Sequence, residues 1–171
     1  RMGFVNAELT KIALNTYVTT KITFANMLRE LCERLPGGDV DVVTRALGLD
    51  SRIGGRYLKG GLGYGGPCFP RDNLALGYLA RELGTNADLA KETDALNRMQ
   101  VRNLHAIVQS RTSHDSRVAV LGLSYKPDSD VIEESQGLML ARGLAGHGYR
   151  VSVFDPLAMD NARAELGDKV T

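Results

Sequence analysis

The chain has 171 residues and a formal net charge of +1, which suits one domain or one domain and part of another. Charges of both signs are mixed along it, so we expect neither nucleic acid nor a membrane surface as a partner. No apolar run is long enough to span a bilayer, and the first residues do not resemble a signal peptide. Two cysteines without paired spacings favour a reducing, cytoplasmic setting.

The first predicted element is one long helix over residues 6–35. Apolar residues recur there at spacings of three and four: Leu9, Ile12, Ala13, Tyr17, Ile22, Met27, Leu28, Leu31 and Leu35. Pro36 and the two glycines after it end the pattern. About 30 residues rising 1.5 Å each give roughly 45 Å, and such a helix needs a packing partner along its whole length. A second copy of the chain is the natural candidate, so we expect a homodimer through residues 6–35.

Three further helices are predicted in this first part of the chain, at residues 39–47, 71–83 and 87–111. Asp39 is a predicted helix cap. The residues predicted to face inward on the third of these four helices are Leu74, Leu76, Leu79, Ala80 and Leu83. Between the second and third helices lies a glycine-rich loop region at residues 49–70.

The pattern changes at residue 117. A short apolar strand, a helix and a second strand follow, at residues 117–122, 134–146 and 149–156. Strand, helix and strand with short links predict a βαβ unit with parallel strands. The predicted fold class is therefore a mostly α-helical domain, residues 1–113, followed by the first βαβ unit of an α/β domain, residues 114–171. The abrupt start and end of these patterns lead us to expect a piece of a larger protein.

Five glycines fall within residues 60–66, and residues 61–66 satisfy the dinucleotide pattern G-x-G-x-x-G. We reject that interpretation, because the pattern must follow a strand and open a helix, whereas a poor strand precedes it here and Pro67 and Pro70 follow. A Walker A loop is excluded, since no Gly-Lys-Ser/Thr closes the segment. By composition alone, a flexible turn is an equally good interpretation.

Cys68 makes the loop a candidate for nucleophilic chemistry. It stands just before a predicted helix start, where unpaired backbone N–H groups and the helix dipole favour a thiolate. Lys59 and Arg71 are near it in sequence, and the glycines let the backbone approach a ligand closely. Cys32 lies among the apolar positions of the long helix and is predicted to be a small buried side chain.

Other polar residues offer partners for such chemistry. Lys11 and Asn15 share one face of the long helix and supply the donors that an oxyanion requires, although most such residues are simply solvated. Asp72 follows Cys68 by four and is predicted either to position water or to cap a helix. The histidines, at positions 105, 114 and 147, have no metal-ligand spacing, so we expect no metal site.

Four stretches together resemble the UDP-glucose/GDP-mannose dehydrogenase family in order and spacing. Residues 63–72, GYGGPCFPRD, resemble its catalytic segment, and residues 6–15 resemble the start of its long central helix. Residues 52–59 are similar to its sugar-binding loop, and residues 122–135 to the entry of its C-terminal nucleotide-binding domain. The resemblance covers nearly the whole chain.

The resemblance implies three parts in the whole protein: an N-terminal NAD-binding domain, a helical dimerising domain and a C-terminal Rossmann-like domain. This chain matches the second part and the beginning of the third. The implied reaction is a four-electron oxidation of a nucleotide sugar by two NAD⁺, and the chain without the NAD domain is predicted to be inactive.

The resemblance also implies residue roles. Cys68 would attack the intermediate aldehyde, Lys11 and Asn15 would stabilise the oxyanion, Asp72 would orient water, and Arg71 would contact the cofactor. Substrate contacts are implied for Arg52, Tyr57, Lys59, Gly60, Gly61, Gly63, Tyr64, Gly65, Gly66, Tyr125 and Lys126.

The sequence departs from the family pattern at two positions. Pro67 stands where a serine is common, and Glu133 where an arginine is frequent. UDP-glucose is the expected substrate, and GDP-mannose or another nucleotide sugar is the enzymatic alternative. The alternative from another class is a non-catalytic dimerisation module whose loop is a structural turn.

Overall fold

The computed structural model describes residues 1–113 and 115–171 and is mostly helical with a small parallel sheet, which confirms the predicted fold class. The elements are α1 (Phe4–Cys32), α2 (Val40–Gly48), α3 (Phe69–Glu82), α4 (Asp88–Arg111), β1 (Arg117–Leu121), α5 (Gln136–Gly146), β2 (Arg150–Phe154), α6 (Met159–Leu166) and a 3-10 turn (Gly167–Lys169). His114 lies outside the described residues, so nothing structural bears on it.

The chain forms two compact units. The first comprises Arg1–Gly63 and Arg71–Asn97, and the second comprises Tyr64–Pro70 and Arg98–Thr171. Helices α3 and α4 therefore contribute residues to both units. The domain boundary predicted between residues 113 and 114 stays a prediction.

Helix α1 ends earlier than its apolar pattern predicts. The last helical residue is Cys32, and two tight turns then carry the chain to Pro36. Proline disfavours a helical conformation in the residue before it, and it has no N–H to donate back along the helix. The apolar spacing therefore continues to Leu35 although the helix does not.

The buried face of α1 is largely polar. Thr16, Thr19, Thr23 and Asn26 are buried along it, at spacings of three and four residues. The leucine and aromatic positions that predicted the helix lie on the other face, where Tyr17 and Leu31 are more than half exposed. The periodicity thus predicts the helix, but its apolar stripe is not the side that packs within the unit.

The predicted inward face of the third helix is confirmed at Ala80 and is wrong at Leu74 and Leu83. Leu74 and Leu83 are 64% and 69% exposed, whereas Asp72, Asn73 and Ala80 are buried. The buried positions of α3 lie near the helix turn that meets α1, where a hydrogen bond joins Thr19 to Asn73 at 3.2 Å. Position 74 points away from this contact, so its leucine stays in solvent.

The second unit is built around two parallel strands. Val118 of β1 pairs with Val151 of β2, and the register continues through Leu121 opposite Phe154. Helix α5 begins at an N-cap, Ser135, whose side chain accepts the N–H of Leu138, and packs on the sheet. The core of this unit contains Val120, Leu123, Leu138, Leu140, Ala141, Leu144, Tyr149, Val151, Ala158, Ala162 and Leu166.

Asp155 joins the ends of the two strands. Its buried carboxylate accepts the N–H groups of Leu123 and Ser124 after β1, and of Leu157 and Ala158 after β2, at 2.7–3.0 Å. Burial alone raises the pKa of a carboxyl group, but these four backbone donors outweigh it and hold the pKa of Asp155 far below its usual range. The ionised carboxylate is therefore part of the folded unit.

We expect Asp155→Asn to lower the free energy of unfolding by about 2–4 kcal/mol, because an amide replaces the charged acceptor of four backbone donors. Since the folded pKa is depressed, this stabilisation is present above the unfolded carboxyl pKa, about 4, and is lost as pH falls below it. Urea unfolding at pH 7 and at lower pH measures both effects. Asp160→Asn, at a 99% exposed side chain, is the matched control and changes stability little. Equal stability of both variants at pH 7 would contradict this account.

Candidate active site

Lys11, Asn15 and Asp72 form one polar group in the first unit. The Lys11 ammonium and the Asn15 side-chain amide both donate to Oδ2 of Asp72, each at 2.5 Å. The donors are one turn apart on α1, and the carboxylate lies in the first turn of α3. Asp72 is only 5% exposed whereas Lys11 is 54% exposed, so a buried anion is held by a cation that reaches solvent.

Neighbouring polar contacts hold the helices that carry this group. Beside the bond from Thr19 to Asn73, the hydroxyl groups of Thr20 on α1 and Thr93 on α4 lie 3.3 Å apart. Hydrogen bonds are directional, so these contacts fix the rotation of α1 more strictly than apolar contacts would. The side chains of Lys11 and Asn15 therefore have a defined direction.

The cysteine segment belongs to the second unit. Cys68 is exposed, forms no disulfide and immediately precedes α3. Before it, the Tyr64 carbonyl accepts the Gln136 side-chain amide at 3.2 Å, and the Gly66 N–H donates to the Glu133 carbonyl at 2.9 Å. The rings of Tyr64 and Phe69 meet edge to face, with centroids 6.0 Å apart. The segment is thus held on both sides of the thiol.

Two of the loop glycines are required by packing within this unit. A Cβ atom on Gly65 would lie 2.2 Å from the Glu134 carbonyl oxygen. Gly66 has a φ of +81°, and a Cβ there would lie 2.5 Å from the Tyr125 ring. The Lys126 ammonium lies 5.4 Å from the centroid of that ring. These glycines, Tyr125 and Lys126 therefore form one packed cluster.

The residues expected to contact sugar or phosphate lie on the loop after α2. Arg52 donates to both carboxylate oxygens of Asp50, and this pair lowers the pKa of Asp50 and raises that of Arg52. Lys59 lines an open cavity of about 460 Å³ together with Arg45 and Asp41. Tyr57 is exposed and has a φ of 61°, a conformation that is uncommon for a residue with a bulky side chain.

The first unit thus holds the Lys11–Asn15–Asp72 group, the loop with Arg52, Tyr57, Lys59, Gly60, Gly61 and Gly63, and Arg71, whose Nε lies 3.9 Å from Asp72. The second unit holds Cys68, Tyr64, Gly65, Gly66, Tyr125 and Lys126. The roles implied for these residues remain proposals.

Sequence reasoning missed four residues that hold these segments: Lys21, Asn26, Gln136 and Asp155. A polar side chain at a position opposite the apolar stripe of a helix was the available signal for Asn26. An acid at the end of a strand was the signal for Asp155.

The described residues hold no cluster suited to a metal, and the acid after β2 is not available to bind a ribose. Within residues 1–113 and 115–171, no three His, Cys, Asp or Glu side chains are grouped to bind a metal. The rings of His105 and His147 are 5.4 Å apart; burial, and then the charge of His147, lower the pKa of His105. Dinucleotide folds use an acid after a strand to bind ribose, but here Asp155 is occupied by four backbone donors.

Across the described part of the chain, no helix is both apolar and long enough to cross a bilayer.

Comparison with protein families assigns both parts of the chain. The model of the central domain of the UDP-glucose/GDP-mannose dehydrogenase family matches residues 5–99, and the model of the UDP binding domain of that family matches residues 119–171. The chain belongs to this family. Its two matched segments therefore correspond to the central domain and the UDP binding domain of that family.

Individual relatives agree. The chain is 41% identical to a UDP-glucose 6-dehydrogenase of Rhizobium meliloti (strain 1021) over 160 residues, which are 92% of this chain and 36% of that protein. It is similar to the structure of a UDP-glucose dehydrogenase from Pyrobaculum islandicum, with a TM-score of 0.92 and 43% identity over 97% of this chain and 39% of that one. For a GDP-mannose dehydrogenase from Pseudomonas aeruginosa these values are 0.61 and 27%, over 96% and 40%. The chain thus spans little more than a third of the length of the curated relatives it matches.

We expect Asp72→Ala to lower the free energy of unfolding by about 1–3 kcal/mol, because it leaves Asn15 and Lys11 without their buried acceptor. Chemical denaturation of purified variants measures this. Asp41→Ala is the matched control, since Asp41 also lies in the first turn of a helix but is exposed. If the two variants are equally stable, the polar group does not stabilise the unit.

Proposed function

We propose that this chain belongs to a nucleotide-sugar 6-dehydrogenase that oxidises UDP-glucose to UDP-glucuronate with two NAD⁺. Family membership supports the reaction class. The observation that carries the proposal is the Lys11–Asn15–Asp72 group, because two donors and a buried carboxylate meet at positions for which the family resemblance implies catalytic roles. The identities to UDP-glucose enzymes favour UDP-glucose over GDP-mannose.

In this proposal Cys68 is the nucleophile. Its thiolate adds to the C6 aldehyde formed by the first oxidation, and the resulting covalent thiohemiacetal cannot leave before the second. Cys68 stands directly before α3 and is exposed, so its sulfur is accessible to a substrate. The second oxidation gives a thioester, which water hydrolyses to the acid.

The polar group of the first unit would serve the charged intermediates. The Lys11 ammonium and the Asn15 amide stabilise negative charge that develops on the sugar oxygen. Asp72 orients the water that attacks the thioester, since an ionised carboxylate accepts its hydrogen bond. Arg52 and Lys59 supply positive charge for the substrate diphosphate, and the loop glycines and tyrosines line the sugar site.

NAD⁺ would supply the hydride acceptor; in this proposal it binds to parts of the whole enzyme outside these residues, and Arg71 would contact it from this chain. The chain on its own is therefore expected to show no turnover. The two cysteines in reduced form fit a reducing compartment such as the cytoplasm.

The decisive experiment counts NADH formed per sugar in the intact protein, with UDP-glucose and GDP-mannose offered separately. We expect two NADH per UDP-glucose, and a loss of acid formation on the order of a thousandfold or more in Cys68→Ser. Cys32→Ala is the matched control, because this buried thiol takes no part in the chemistry. Turnover of GDP-mannose alone would reassign the substrate. No NADH with either sugar would favour the non-catalytic dimerisation module.

We further propose that the apolar face of α1 forms a homodimer. Exposed side chains along it include Leu14, Tyr17, Phe24, Met27 and Leu31. Their spacing makes them one stripe of a helix 29 residues long, opposite the polar face that packs within the unit. A second copy would remove this stripe from water. Each contact in the dimer would then bury apolar area from both copies.

We expect Leu31→Lys to shift the protein from dimer to monomer, because a charge would be buried within the apolar interface. Leu74→Lys, at a leucine of α3 that is also more than half exposed, should leave the dimer intact. Light scattering at micromolar concentration measures the mass. A monomeric wild-type protein would contradict the proposed dimer.

A further inference from the structure

Helix α1 binds the beginning of the loop that carries the expected sugar contacts. The Lys21 ammonium donates to the carbonyl oxygens of Ile53 at 3.0 Å and Gly54 at 2.8 Å. These carbonyls end the tight turn that begins at Asp50, whose own carbonyl accepts the N–H groups of both residues. A lysine that binds the last carbonyls of such a turn opposes their partial negative charge and fixes the turn against the helix.

Helix α1 also binds the end of the same loop. Asn26 is 1% exposed, its Oδ1 accepts the Gly61 N–H at 2.8 Å, and its Nδ2 donates to the Leu62 carbonyl at 3.2 Å. Because acceptor and donor of one amide are both used, the side chain binds the loop backbone in a single orientation. Lys21 and Asn26 are five residues apart on α1 and bind opposite ends of residues 53–62.

Between the two attachments the backbone is strained. Tyr57 has a φ of 61°, in the left-handed region that costs a non-glycine residue about 1 kcal/mol or more. Such a conformation persists only where the surrounding structure imposes it. Next to it Leu58 is buried, with 6% exposure, so the segment is pinned in its middle while Tyr57 and Lys59 project outward.

We propose that Lys21 and Asn26 are positioning residues that hold residues 53–62 in the conformation that receives the nucleotide sugar. Neither side chain needs to touch the substrate. Both act through the backbone that carries Tyr57, Lys59, Gly60 and Gly61. The inference rests on the proposed function for the identity of the ligand, whereas the attachment itself rests on the four hydrogen bonds.

The first variant is Lys21→Met in the intact protein, which keeps the apolar stem and removes the charge. We expect KM for UDP-glucose to rise about tenfold, because only a fraction of the protein then has the loop in its binding conformation. kcat should stay within about twofold, since the reacting groups are untouched. Lys21→Arg should restore KM by donating to the same carbonyls, and Lys91→Met, at an exposed lysine of α4, should leave KM unchanged.

Amide hydrogen exchange of the same variants reports on the attachment without any substrate. Lys21→Met should speed exchange in peptides covering residues 53–62 by about tenfold and leave the peptides of α4 unchanged. Asn26→Asp is the second variant, because it keeps an oxygen to accept the Gly61 N–H but sets a carboxylate oxygen against the Leu62 carbonyl. It should speed exchange at residues 60–62 and raise KM in the same way.

The outcomes are separable. Faster exchange together with a raised KM supports the inference. Faster exchange with an unchanged KM, or a raised KM with unchanged exchange at residues 53–62, overturns it, since the attachment would then not govern binding. If the wild-type protein oxidises neither sugar, the proposed function fails, and the exchange measurement alone decides whether Lys21 and Asn26 hold the segment.

Discussion

The polar face of α1 is the constraint on which the first unit depends. Threonine and asparagine side chains, rather than leucines, are buried along it. Thr19 binds α3 and Asn26 binds the loop after α2, while the half-buried Thr20 contacts α4. A buried polar group costs free energy unless its partner is present, so each of these contacts is satisfied in only a few arrangements. An apolar face of the same size would stabilise the unit but would leave the helix freer to rotate or slide. Polar burial therefore sets the directions in which Lys11 and Asn15 project.

This constraint also explains where sequence reasoning succeeded and where it failed. Spacing, turn residues and caps were sufficient for most elements: Asp39 caps α2 as predicted, and the parallel βαβ unit appears where two apolar strands flank a helix. Helix α6 was not predicted. The same periodicity did not reveal which face packs inward, because an apolar stripe can serve the core of its own unit or an interface. Leu74 shows the same limit on α3, where buried Asp72 and Asn73 take the inward side. Composition describes the chemistry of a face and not its neighbours.

The candidate site was predictable to a different degree. The cysteine segment and the positions of Lys11, Asn15 and Asp72 could be read from motif resemblance, and the structure brings the last three together. The residues that hold the loops could not, since Lys21 and Gln136 act through backbone carbonyls that no residue type marks in a sequence. Asp155 illustrates the same point. An acid after a strand is typical of a ribose ligand, but its four backbone donors give it a structural task in this unit.

The number of hydrogen-bond donors on Lys11 and Asn15 decides whether these side chains can bind Asp72 and also take part in the proposed catalysis. An ammonium has three donors and a primary amide has two, so each side chain can bind Asp72 and retain a donor for a second acceptor. Holding both groups against a buried carboxylate restricts their rotation before any substrate arrives, which lowers the cost of ordering them around an oxyanion. The carboxylate in turn tempers the positive charge of Lys11, so a neutral sugar hydroxyl meets a nearly balanced site. Negative charge that develops on that oxygen then meets donors already in place, and this difference between ground and transition state is what accelerates a reaction.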